Sequence, residues 1–184
     1  MSNSPRFSRA FALALGALAA TGLGMAFQDM QAIEADGLKF QAPAAWKSLP
    51  AKGMRKVQLS VPGAADKDAA EFAVFAFLGG AGGVQANLDR WQGQFKGEDG
   101  KTPPLGSKKV KSKSGIEVTR VDVKGTYTDP FAAAGPRPQP GYAMLAAIVE
   151  SPKYAYFLKL TGPEATVKAA ASDFDKAIDS VEVK

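Results

Sequence analysis

Apolar positions along this chain alternate with period two through most of its middle, and in two places they switch to the three-and-four spacing of a buried helix face. Residues 37–42 set Leu38 and Phe40 on one face and are closed by Pro43 and Trp46, which predicts a first strand after a short polar connector. In the stretch 54–61, Met54, Lys56, Gln58 and Ser60 alternate with Arg55, Val57, Leu59 and Val61, a half-buried strand ended by Pro62 and Gly63. The next strand, 71–78, is apolar on both faces, with Phe72, Val74, Ala76 and Leu78 opposite Ala73, Phe75 and Phe77. It must therefore lie inside a sheet covered above and below. A glycine-rich link, Gly79 to Gly83, opens a helix whose apolar residues Val84, Leu88, Trp91 and Phe95 share one face.

Past a polar loop at 97–107, strands are predicted at 108–113 and 117–127 around a Ser114-Gly115 turn. Residues 128–141, with Pro130, Pro136, Pro138 and Pro140, read as a loop longer than a hairpin needs, either functional or mobile. Residues 142–149 and 154–161 form a hairpin about Glu150, Ser151, Pro152 and Lys153. A last helix starts at Gly162 with Pro163 in its first turn and Glu164 beside its positive end. It carries Val167, Ala171, Phe174, Ile178 and Val181 on one face. The fold class is α+β: an antiparallel sheet flanked by helices, with no internal repeat and no second domain.

The first 26 residues change the picture of location. Arg6 and Arg9 form a positive segment, the run 10–20 is apolar, and small residues follow, the pattern of a signal peptide cut after Ala26 or, earlier, after Ala19. The later site is preferred, leaving 27–184 as one domain in a periplasmic or secreted location; an uncleaved anchor is the alternative and would be the chain's only membrane contact. Cysteine is absent, which removes disulfides, a thiol nucleophile and a lipid-modified cysteine and suits an oxidising compartment. Without the two leader arginines the formal charge falls from +5 to +3, too little for a nucleic-acid surface. The one dense basic cluster, Lys108, Lys109, Lys111 and Lys113, reads as a solvated edge strand or as an anionic docking patch.

Histidine is also absent, which takes away the commonest general base and metal ligand and with them a serine-histidine-aspartate mechanism. The carboxylate pairs Asp66/Asp68, Glu98/Asp99 and Asp173/Asp175 fit neither a glycosidase pair nor a calcium loop. The run Gly79–Gly83 lacks the Gly-Lys-Ser/Thr of a phosphate loop and has Gln85 where a dinucleotide fingerprint needs glycine. It reads as a turn or as a simple anion contact. No cofactor and no metal site is expected. The candidate binding residues are Asn87, Arg90 and Gln94, spaced three and four around Trp91 on one helix margin. Lys159, a lone charge in an apolar strand, joins them, either as an edge-facing lysine or as a charge near a pocket.

This order of elements resembles the Mog1/PsbP-like superfamily over about residues 38–183. Similar envelope proteins carry the residue strings that stand here as Gly82, Gly83, Asn87, Arg90, Trp91 and Gln94, then Lys159, Thr161, Gly162 and Pro163. The resemblance implies an α/β/α sandwich around an antiparallel sheet, a fold used for protein docking in Mog1 and as a photosystem accessory in PsbP, and it carries over no catalytic residue. The expectation is a non-enzymatic exported envelope accessory protein that binds a protein partner, with a small-ligand or lipid carrier as the alternative. The carrier would need a real cavity beneath Trp91.

Overall fold

The computed structural model describes residues 29–130, 132 and 135–184; the expected signal peptide, 1–26, lies outside them. The chain runs through β1 (Met30–Ala35), β2 (Leu38–Pro43), β3 (Lys47–Ser48), β4 (Val57–Val61), β5 (Ala70–Leu78), α1 (Val84–Gln92), β6 (Phe95–Lys96), β7 (Gly106–Lys111), β8 (Glu117–Thr128), β9 (Pro138–Glu150), β10 (Tyr154–Pro163), α2 (Glu164–Ala169), α3 (Ala171–Asp179) and β11 (Glu182–Val183). The main sheet is antiparallel in the order β3-β4-β5-β10-β9-β8-β6, with β7 also paired to β8. A small sheet, β1-β2-β11, lies beside it.

Alternation along the central strands divides the interior into two cores. One gathers Phe72, Val74, Leu145, Ala147, Val149, Leu158 and Leu160 under α2, α3 and the small sheet. Its hub is Phe72, wholly buried, with ring centroids 5.1 Å from Trp46, 5.7 Å from Phe40 and 6.3 Å from Phe174. On the opposite face Val121, Val123, Met144, Ala146, Ile148 and Phe157 pack beneath Leu88 and Trp91 of α1. Helices thus stand on both faces of one antiparallel sheet, as the sequence predicts.

That second covering is incomplete for a geometric reason. The strands β4, β5, β10, β9 and β8 span about 20 Å at roughly 4.8 Å each, whereas one helix is about 10 Å across. Seated towards β8, α1 leaves the β4–β5 side of its face uncovered.

Several boundaries differ from those read in the sequence. The polar connector contains β1, paired with β2 through Asp36 and Gly37, whose φ of 48° and 89° give the twist a two-residue Asp-Gly hairpin needs. The strand expected from Met54 begins only at Val57, and α1 stops at Gln92, so Phe95 reaches the core from β6. Pro138 and Pro140 belong to β9, where Pro138 is the first residue, a position that tolerates its missing N–H. The expected single last helix is two, bent at Ala170. Its first part lies against β9 and β10 and its second against β2, while Val181 follows the helix and is fully buried. The sheet begins its exit at Gly162, where an added Cβ would collide with the backbone and Cβ of Ala70. Gly162→Ala is expected to cost about 1–3 kcal/mol, because backbone rather than a flexible side chain has to move; urea unfolding monitored by tryptophan fluorescence checks it.

Candidate functional site

The uncovered side of the α1 face is a cleft of about 500 Å³. Its floor is set by strand register: on β5 the residues Glu71, Ala73, Phe75 and Phe77 face it, and on β10 Phe157, Lys159 and Thr161 do. Lys159 stands opposite Ala73 on one neighbour and Ala146 on the other, so two of the smallest side chains flank a long one and leave space beside it. Arg90 and Trp91 of α1 form one wall together with Gln94, which lies in the turn after the helix rather than on the helix margin expected for it, and Arg55 and Met54 form the wall across from it. Tyr127, Asp129 and Tyr142 close one end.

The walls are aromatic. Trp91 meets Phe157 edge to face at 5.2 Å, Phe77 lies 5.2 Å from Phe157, and Tyr127 stacks on Tyr142 at 6.2 Å. The floor is charged. Arg55 is held by Glu71, through its Nε and a terminal nitrogen, each 2.9 Å from Oε1, and Gln58 Nε2 donates to the other carboxylate oxygen at 2.8 Å. Lys159 has no ion pair among the described residues, and its ammonium lies 5.6 Å from the centroid of the Trp91 ring. Although the side chain keeps some contact with solvent through the cleft mouth, burial pulls its pKa down to about 8. Asp129 and Glu71 oppose that shift and Arg55 and Arg90 add to it. Roughly nine-tenths of the ammonium groups remain charged at pH 7. Burial also pushes the Tyr127 hydroxyl up, with Asp129 and Glu71 adding to the effect. Gln94 brings a second unmet demand: its Oε1 is buried with no hydrogen-bond partner among the described residues.

Four of the five residues singled out in the sequence therefore meet: Arg90, Trp91, Gln94 and Lys159. Asn87 does not join them. It is buried under the glycine loop, where its Nδ2 donates to the carbonyls of Ala81 at 2.9 Å and Gly83 at 2.6 Å and straps the loop to α1. The glycines themselves hold positive φ, 74° at Gly79, 96° at Gly80, 84° at Gly82 and 80° at Gly83, so the run is a turn by conformation. Lys159 lies on an interior strand, which replaces the edge-facing alternative. Sequence reasoning missed Arg55, Glu71, Tyr127 and Tyr142, and reached Asp129 only as part of the stretch 128–141 read as functional or mobile. The one available signal was Glu71, a charge heading the face that continues through Ala73, Phe75 and Phe77 of an otherwise apolar strand.

Among the described residues no three acidic side chains gather where they could hold a metal ion. What the cleft offers chemically is one desolvated cation and aromatic surface.

Among solved structures, the solution structure of the cyanobacterial PsbP protein CyanoP, from Synechocystis sp. PCC 6803, matches 92% of this chain and 100% of its own with a TM-score of 0.54 at 15% sequence identity. The fold is PsbP-like. A Bacteroides thetaiotaomicron structure matches 80% of this chain and 45% of its own (TM-score 0.47, 14% identity), and a Pseudomonas aeruginosa structure 84% and 97% (TM-score 0.41, 15% identity). No family model and no curated protein matches the chain. At these identities the PsbP-like fold is what is shared, and the cleft has to be read from its own residues.

Lys159→Met keeps the stem and removes a desolvated charge that makes no ion pair among the described residues, so the variant is expected to be more stable at pH 7 by roughly 1 kcal/mol, a few degrees in Tm. The unfolded chain binds this proton more readily than the fold does. The stability of the parent therefore rises as pH climbs from about 8 towards the ordinary lysine value near 10.4, and the gap to the variant closes over that window. Thermal melts of both proteins between pH 7 and 10.5 check the sign; a variant less stable than its parent at pH 7 would contradict the assignment.

Proposed function

We propose that this chain is a non-enzymatic accessory protein of the bacterial envelope, exported by its first 26 residues, and that it works by binding a protein partner in the cleft between α1 and β5. The observation that carries this reading is convergence: residues from α1, from the central strand β10 and from the segment before β4 meet at one concavity. Its rim is accessible, with Arg90 exposed and Met54 64% exposed. An exposed large apolar side chain beside a cation on the margin of an aromatic hollow is the composition of a contact surface. The basic, apolar and small-residue order of the N-terminus supports export.

One feature favours a second reading, a small-ligand carrier. A volume of about 500 Å³ walled by Phe75, Phe77, Trp91 and Phe157 falls within the roughly 300–1,000 Å³ of small-molecule sites.

Trp91 is 3% exposed and its truncation would damage the core, so the informative variant changes the rim. Met54→Asp/Arg90→Glu is expected to fold with stability within about 0.5 kcal/mol of the parent, since both positions are at the surface. Tagged parent and variant would be purified from the native envelope and compared by native mass spectrometry. The expected result is a stoichiometric protein partner on the parent that is lost from the variant. A bound small molecule instead would transfer the cleft to the carrier reading, and a partner held equally by both would remove the cleft from the account.

A further inference from the structure

Resting on the docking reading above, we infer that the cleft recognises an acidic side chain in an extended segment of the partner: its carboxylate on Lys159, and an apolar flanking side chain against the aromatic wall. Charge decides the first part. Three cations, Arg55, Arg90 and Lys159, and two carboxylates, Glu71 and Asp129, line the cleft, so it carries one excess positive charge. Arg55 is already bonded twice by Glu71, whereas Lys159 has only the face of Trp91 and no ion pair among the described residues. A desolvated ammonium gains most from one charge-assisted bond to a monoanion, and a monoanion neutralises this cleft where a dianion would leave charge uncompensated.

The second part follows from shape. Ala73, one of the smallest side chains, stands beside Lys159 on the cleft floor, while Phe75, Phe77 and Trp91 receive a flanking ring.

The test uses the full chain with three probes: the blocked peptide Ac-Phe-Glu-Phe-NH2, its Gln counterpart, and 3-phenylpropionate, titrated calorimetrically and followed by the Trp91 indole N–H resonance. The Glu peptide should bind about tenfold more tightly than the Gln peptide at pH 7, the increment of one charge-assisted bond. That preference should vanish in Lys159→Met, survive in Lys159→Arg, and fade as pH rises above about 8. Equal binding of the Glu and Gln peptides, or no binding of the Glu peptide at millimolar concentration, overturns the inference; partner capture that depends on Met54 and Arg90 would stand apart from that result. If 3-phenylpropionate binds as tightly as the Glu peptide, the peptide assignment is overturned in favour of a small organic acid.

Discussion

The register of β10 between β5 and β9 is the constraint on which the rest of the structure depends. With Leu158 opposite Val74 and Ala147, the strand sends Tyr156, Leu158 and Leu160 into the core under α2 and α3, and Phe157, Lys159 and Thr161 to the other face. Because the side-chain period is two, a slip of one residue would exchange these sets. Lys159 would then enter a core where neighbours such as Leu145 and Phe72 offer it nothing, at a cost of several kcal/mol. The same residue that makes the cleft polar thus also disfavours the neighbouring registers.

A second asymmetry follows from how the two faces are covered. The Phe72 face has two helices and a three-stranded sheet over it, and its residues are almost wholly removed from solvent. The other face has one nine-residue helix. An apolar half-face left bare would invite either collapse of the loop before β4 or aggregation. The Arg55–Glu71–Gln58 network holds that loop at the far side, and Lys159 keeps the floor from being a purely apolar patch. Ala73 on its floor is too small to fill the hollow.

Much of this was legible in the sequence, and the reasons for the remainder are specific. Near-continuous apolar runs located β5, β9 and β10, because each is covered on both faces, and helical spacing located α1. The bend at Ala170 was invisible because both helical segments face one core, so the three-and-four pattern runs through the break. Asn87 and Trp91 lie on a shared helix side by angle, but Asn87 is one turn nearer the glycine loop, which takes its amide; angular position carries no information about depth along the axis. Arg55 and Glu71 come together only through the pairing of β4 with β5, and composition marked the strand of Lys159 as interior but could not say whether the lysine faced an edge or a pocket until strand order was known. Strand order is non-local, and hydrophobic period does not encode it.

Among the described residues two buried amide oxygens lack a partner, Asn87 Oδ1 under the glycine loop and Gln94 Oε1 at the cleft. Several surface charges are answered by partners: Arg120 by Asp122 and Asp175, Lys124 by Glu164, Lys109 by Glu117. Surface pairs of this kind cost little to keep and contribute little. Lys159 and the Gln94 amide are different, since each is withdrawn from water and neither has its full complement of bonds. Packing alone would favour methionine or leucine at both sites, and sequences consistent at every level avoid such conflicts except where function requires them. The two differ in access: the Lys159 ammonium on β10 lines the hollow, whereas the Gln94 amide oxygen, in the turn after α1, is closed off from solvent. The complement of that ammonium is an anionic acceptor, which an acidic residue of a polypeptide provides.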